Sequence, residues 1–151
     1  APHSRPLAML VSATLIDVLR DWRSLPPALS QDHQRATYAH KLKPADSLIA
    51  WKTGAVEIER VVRALTNRGA AYTRLGSDRI RILNAAALEG SANPGELVKT
   101  SRGLAVGCRD GLLLLNTVQL NRGRGTPMSV DQAANGHADL FKIGIQYYVV
   151  E

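Results

Sequence analysis

The chain of 151 residues lacks several things, and each lack closes a line of explanation. It has one cysteine, Cys108, so neither a disulfide nor a multi-cysteine metal site can form within one chain. That usage suits a reducing cytoplasm. Its four histidines, His3, His33, His40 and His137, include no i, i+4 pair, which leaves a histidine-built metal centre without a frame. No apolar run nears membrane-spanning length, and no membrane partner is expected. The opening APHSRP has no basic-then-apolar order of a signal peptide, and it begins on Ala1 rather than Met, as a trimmed protein or a piece of a longer one would. Aromatics are scarce, with a single Phe, so the stacking platform of a base-reading single-strand binder is poorly supplied. Acids are outnumbered, 13 against 19 Lys and Arg, giving a net charge of +6. Arg supplies 14 of those 19, and its planar fork suits phosphates.

What is present reads as one ordinary domain, or one small domain with an appendage. Leu7, Leu10, Val11, Leu15, Val18, Leu19 and Trp22 recur at spacings of three and four, which predicts an amphipathic helix over 7–22, ended by Pro26-Pro27. Residues 28–46 are polar with few apolar anchors and read as a connector. A second helix is expected from about Gly54 to Thr66, with Thr53 as N-cap and Val56, Ile58, Val61, Val62 and Leu65 as its apolar positions. AAYTRL and RIRILNAAAL around Gly76-Ser77-Asp78 predict a hairpin, in which Arg79 and Arg81 share the face opposite Ile80 and Ile82. ELVKT, GLAVGC and LLLLNTVQL follow as strands, with Arg109-Asp110-Gly111 as a turn, and Ser129 and Gln132 form a capping box for a last short helix. FKIGIQYYVVE reads as an edge strand or a tail. The fold class expected is mainly β with helices: a small open β-barrel preceded by a helix and an extended linker.

Positive charge gathers in two stretches. Residues 60–81 carry Arg60, Arg63, Arg68, Arg74, Arg79 and Arg81 against Asp78. Residues 99–124 carry Lys99, Arg102, Arg109, Arg122 and Arg124 against Asp110. A solvated surface explains many such cations, whereas phosphate neutralisation would make them a salt-sensitive binding surface. NRGRGTP is the sharper candidate, because its glycines let the backbone approach a phosphate between Arg122 and Arg124. Trp51 and Tyr72 are assigned to packing, with stacking on a base as the second reading.

The segment from Gly103 to Gly136 closely resembles the end of the C-terminal domain of methionyl-tRNA formyltransferases. Gly111, Gln119, Met128, Ser129 and Gly136 match that family's closing pattern D-G-x-L…Q…G-K-x-x-M-S…G. Upstream, Gln34, Ala36, Thr37, Tyr38, Ala39 and Lys41 resemble its interdomain linker. Ile49, Trp51, Glu57, Ile58, Arg63, Ala64 and Leu65 resemble its I-D-W, E-I and I-R-A stretch, GAAYTRL its G-A-x-T strand, and Pro94-Gly95-Glu96-Leu97 its P-G turn. Departures are Asn67-Arg68-Gly69 in place of W-P-G, Ala50 in place of Asp, Arg122 and Arg124 in place of lysines, and His137 after the last Gly.

The resemblance implies an OB-like barrel over 47–151, an interdomain linker over 31–46, and, over 1–30, the terminal helix of a preceding catalytic domain plus the start of the linker. It implies initiator methionyl-tRNA as a partner, docked beside an N-terminal Rossmann-like domain that transfers a formyl group from 10-formyltetrahydrofolate. No cofactor is expected in this chain. The nucleic-acid-binding candidates are Lys41, Lys43, Lys52, Arg122, Arg124 and His137. The alternative is the equivalent barrel of a sugar N-formyltransferase or formyltetrahydrofolate hydrolase, serving as a structural or dimerising element without RNA. A third reading is a small basic interaction module of OB type that never had a catalytic partner.

The chain alone is expected to be inactive. The family's catalytic H-x-S-L-L-P is only brushed by Ser24-Leu25-Pro26-Pro27, with Trp22 where the His belongs. His33 or His40 with Asp32 would need convergence that a polar connector does not supply. Cys108 beside Arg109 reads as a packing residue in a strand rather than an activated thiol.

Overall fold

The computed structural model describes residues 4–27 and 29–149. Contacts divide the chain into two compact units, Ala1–Lys41 and Leu42–Glu151. In the first, helix α1 (Ser4–Arg20) carries the stripe from Leu7 to Leu19 but ends at Arg20, so Trp22 lies in the turn after it and the helix stops short of Pro26-Pro27. The Ser12 and Thr14 hydroxyls bond back to the Ala8 and Leu10 carbonyls. Among the described residues of this unit after Pro26-Pro27, a single 3-10 turn forms, His33–Arg35, capped by the Asp32 carboxylate accepting from the Gln34 N–H at 2.9 Å. His33 and His40 are both exposed.

The second unit is a mixed α/β structure built on a six-stranded sheet. Helix α2 (Ala55–Leu65) is followed by β1 (Ala71–Leu75), β2 (Asp78–Leu88), β3 (Leu97–Thr100), β4 (Gly103–Gly107), β5 (Leu112–Leu120), β6 (Met128–Ser129) and helix α3 (Val130–Gly136). Strand order is β1-β2-β5-β4-β3, with β6 also on β5, and every ladder is antiparallel. Among the described residues no ladder joins the edge strands β1 and β3, so the ladders do not close a barrel.

Alternation decides which faces meet. Ala71, Thr73, Ile80, Ile82, Val118 and Leu120 point inward, onto Ala55, Ile58, Val62 and Leu65 of α2. β2 bulges at Asn84, where Leu83 has no ladder partner. The hydroxyl of Thr66, the C-cap of α2, donates to the Leu83 carbonyl at 2.9 Å, and the Glu59 carboxylate accepts from the Ala87 N–H at 3.1 Å, so α2 and its cap hold the bulged strand.

Several expectations change. Val56 and Val61, expected among the apolar positions of α2, are exposed. Gly54, not Thr53, is the N-cap of α2, without a side-chain cap. The helix start is docked on the Arg109–Gly111 turn, and the Asp110 carbonyl accepts from the Ala55 N–H at 2.9 Å. The C-terminal segment is neither a ladder strand nor a free tail. It makes one isolated bridge, Glu96 with Gln146, buries Tyr147, and donates the Tyr148 N–H to the Arg74 carbonyl. Val150 and Glu151 of that segment lie outside the described residues. Tyr72 faces outward from the sheet rather than into the core. The other strands, the Ser129–Gln132 capping box and the buried Trp51 and Cys108 are as the sequence implies.

β4 is crossed closely by the 93–96 turn: the Gly107 N–H donates to the Glu96 carbonyl and the Gly95 N–H to the Gly107 carbonyl, both at 2.8 Å. A Cβ on Gly107 would stand 2.2 Å from the Asn93 carbonyl oxygen and 2.9 Å from the Ala92 backbone. Gly107→Ala is therefore expected to cost roughly 1–3 kcal/mol, the range of overpacking. A thermal melt should show Tm falling by several degrees, and an unchanged Tm would contradict this crossing.

Candidate nucleic-acid interface

The β1–β2 hairpin turns at Gly76-Ser77, where Gly76 takes φ of 57°. Its register sets Tyr72 opposite Arg81 and Arg74 opposite Arg79. With the inward positions filled by Ala71, Thr73, Ile80 and Ile82, the outward face receives Tyr72, Arg74, Arg79 and Arg81. The Arg79 guanidinium carbon lies 4.6 Å from the Tyr72 ring centroid and that of Arg74 lies 5.7 Å away. The ring thus offsets part of the repulsion between two cations placed directly across a ladder. On the neighbouring strand Gln119 faces Arg81 and accepts from it at 3.3 Å.

Two hollows open on this face. One, of about 310 Å³, is lined by Arg74, Ser77, Arg79, Arg81, Leu120 and Asn121. The other, of about 350 Å³, is bordered by Lys43, Ser47, Arg68, Tyr72, Arg79 and Arg81. Its floor includes Ala70, which holds φ of 63° after the end of α2. Among the described residues no carboxylate lines either hollow. Among the described residues Lys43, Arg68, Arg74, Arg79 and Arg81 make no ion pair, unlike Arg63, Arg109 and Arg122. Five cations with no acid among the described lining residues repel one another, and a surface of one sign of charge attracts anions.

Arg122 is differently placed. Its guanidinium donates to both Asp78 oxygens, at 2.8 and 2.6 Å, and to Asp139 at 2.7 Å. The Asn121 N–H donates to the Arg79 carbonyl at 3.2 Å, and the Arg79 N–H to the Asn121 side chain at 3.1 Å. The loop after β5 is thereby clamped to the start of β2. The hydrogen bond from Arg122 holds the Asp78 carboxyl below its ordinary value, with the charge of His137 acting the same way. Because the folded-state value is depressed, the contribution is fully present above the unfolded value of about 3.9 and is lost as pH falls through the folded one. Asp78→Asn should therefore lower Tm at neutral pH, with the gap to wild type narrowing only below about pH 4. A gap that stays constant into strong acid would contradict the ionic clamp.

The other candidates are dispersed. Lys43 borders the second hollow. Lys41 is exposed and ends the first unit. Lys52 is exposed on the turn whose Trp51 and Thr53 carbonyls accept from the Arg109 N–H. Arg124 is exposed between Gly123 and Gly125, and His137 is the half-buried C-cap of α3. Arg68, Arg74, Arg79 and Arg81 were absent from the candidate set. The alternation R-I-R-I signalled two of them, but bringing them beside Arg74 and Arg68 required the strand register.

Nothing in the described residues suggests resident chemistry of another kind. Cys108 is buried, and that burial pushes its thiol up to about 12. No group of three His, Cys, Asp or Glu residues among them is placed to hold a metal. No described helix is long and apolar enough to cross a membrane. A folate would need buried donors and acceptors aimed into a cleft for its pterin ring. Every buried side-chain polar atom among the described residues already has a partner, so these residues do not fit that group.

Comparisons with known proteins agree with this fold. Residues 41–138 match the family described as Formyl transferase, C-terminal domain. A methionyl-tRNA formyltransferase of Pseudomonas paraeruginosa is 36% identical over 115 residues, 76% of this chain and 36% of that protein. One from Paramagnetospirillum magneticum is 34% identical over 113 residues, 75% of this chain and 36% of its own. The chain thus spans about a third of the length of these relatives. Among solved structures, a variant of HypX from Aquifex aeolicus superposes with a TM-score of 0.62 at 15% identity, covering 85% of this chain and 24% of that one. HypX in complex with tetrahydrofolic acid gives 0.60 at 16%, covering 87% and 23%. At that identity the likeness is one of fold. On the match over residues 41–138 and the identity to these relatives, the chain belongs to the formyl transferase C-terminal domain family.

Proposed function

We propose that this chain is the RNA-docking part of a methionyl-tRNA formyltransferase, and that its arginine-lined sheet face helps hold initiator tRNA. The observation that carries the reading is the set Lys43, Arg68, Arg74, Arg79 and Arg81, five cations on one face with no ion-pair partner among the described residues. Guanidinium forks match phosphate oxygens, and a scarcity of free aromatics favours backbone contact over base reading. Arg124 and Lys52 add exposed positive charge elsewhere on the second unit, Lys41 and His137 stay candidates on the resemblance, and Arg122 serves by fixing the loop that presents Arg124. The sheet is read as an open barrel of OB type over 47–151, reached through a linker over 31–46. Residues 1–30 are read as the end of a catalytic domain that lies outside this sequence, is of Rossmann type, and uses 10-formyltetrahydrofolate. The setting is cytoplasmic.

Titration with bulk tRNA at several salt concentrations, with duplex DNA as control, tests the reading. Binding that prefers tRNA and weakens steeply with salt is the expected outcome. Absence of binding even at low salt would overturn it.

A further inference from the structure

We propose that the arginine face holds two neighbouring phosphates of one nucleic-acid strand, one in each hollow, with Arg79 and Arg81 as the wall they share. This rests on the RNA-docking reading above and gives it a contact geometry. Arg79 and Arg81 line both hollows, so the two are adjacent rather than separate sites. Each hollow also has cations of its own: Arg74 in the first, Lys43 and Arg68 in the second. Each has neutral donors as well, Ser77 and Asn121 in one and Ser47 in the other.

Arg79 and Arg81 stand two residues apart on one strand, about 6.5 Å. With both side chains lining both hollows, the wall between them is short enough for neighbouring phosphates of one strand to lie on its two sides. A guanidinium carries five N–H donors, of which Arg81 commits one to Gln119. The remainder can serve an oxygen on either side. Asp78, the acid nearest in sequence to Arg79, is engaged by Arg122 and competes little for these forks. Tyr72, with two guanidiniums against its ring, is a positioning residue for the cations rather than a platform for a base.

The test is a set of salt titrations of the whole chain with bulk tRNA. Arg74→Ala and Arg68→Ala should each lower the salt slope by roughly 0.9, the value for one phosphate of a duplex, and their effects should add. Arg79→Ala should be non-additive with either one, because it shares a phosphate with both. Arg79→Lys keeps the charge and serves as the control that separates lost contact from lost fold, alongside a thermal melt of each variant. Strong coupling between Arg74 and Arg68, as one common phosphate would give, overturns the two-phosphate arrangement. So do slopes that match wild type in all three alanine variants. In that second case, tRNA preferred over duplex DNA would leave the docking reading standing without the track. Equal binding to both polymers with the expected slope pattern would keep the track and overturn the preference for RNA.

Discussion

Arg79→Ala combined with Arg81→Ala is expected to weaken tRNA binding about 60-fold at 0.1 M salt, with little change in Tm. The magnitude follows from losing two phosphate contacts, each carrying a slope of roughly 0.9 in log affinity against log salt. Stability should hold because both side chains lie on the outer face of β2, while the inward Ile80 and Ile82 and the ladder itself are untouched. Relief of the Arg74–Arg79 opposition works in the stabilising direction. The loss should shrink as salt rises, since the contribution of released counterions falls toward zero near 1 M. An equal loss at all salt concentrations would mean that the variant disturbs shape rather than charge. Parallel measurement on Arg122→Ala separates the two arginine populations. That side chain is committed to Asp78 and Asp139, so its removal should appear in Tm before it appears in RNA affinity.

The largest effect on folding belongs to Trp51. The side chain is 0% exposed, its indole N–H donates to the Thr73 hydroxyl at 3.0 Å, and its ring stacks on Tyr147 at 6.4 Å between centroids. It joins the segment before α2, strand β1 and the C-terminal segment. Trp51→Ala should cost about 3–5 kcal/mol through the cavity. Leaving the buried Thr73 hydroxyl without its partner adds about 1 kcal/mol or more. Against a total of about 5–15 kcal/mol for a domain, this takes much of the stability, and denaturant unfolding should show the midpoint falling steeply. Trp51→Phe keeps a six-membered ring but loses the N–H and part of the indole volume, so it should sit between wild type and the alanine variant. A Trp51→Ala protein as stable as wild type would mean that Tyr147 and β1 are not joined through this ring.

Much of the fold was legible because local pattern and tertiary environment agree. The stripe of Ile58, Val62 and Leu65, the alternation around Ile80 and Ile82, and Ser129 with Gln132 each report a structure that depends on near neighbours. What failed depended on distant partners. Thr53 looked like a cap, but the Asp110 carbonyl, far along the chain, meets the first free N–H of α2. The C-terminal segment carried strand composition, yet its backbone partners are spread over Gly95, Leu97 and Arg74, which no period of two reveals. The candidate site shows the same limit. NRGRGTP read as a phosphate-binding loop from its glycines and flanking arginines, but nothing near Arg122 in sequence foretold that Asp78 and Asp139 would meet it. Conversely, Arg68, Arg74, Arg79 and Arg81 come from a helix end and two strands. Only the register that sets Arg74 across from Arg79 makes them one surface.

That surface is the centre of the account, and arginine side-chain Nε–Hε resonances observe it directly. During titration with tRNA the signals of Arg68, Arg74, Arg79 and Arg81 should shift together and saturate at one affinity. Arg122, whose Nε–H is already bonded to Asp78 at 2.8 Å, should remain in place as an internal reference. Shifts confined to Arg122 and Arg124, or spread evenly over every arginine of the chain, would contradict a docking face on the β1–β2 hairpin.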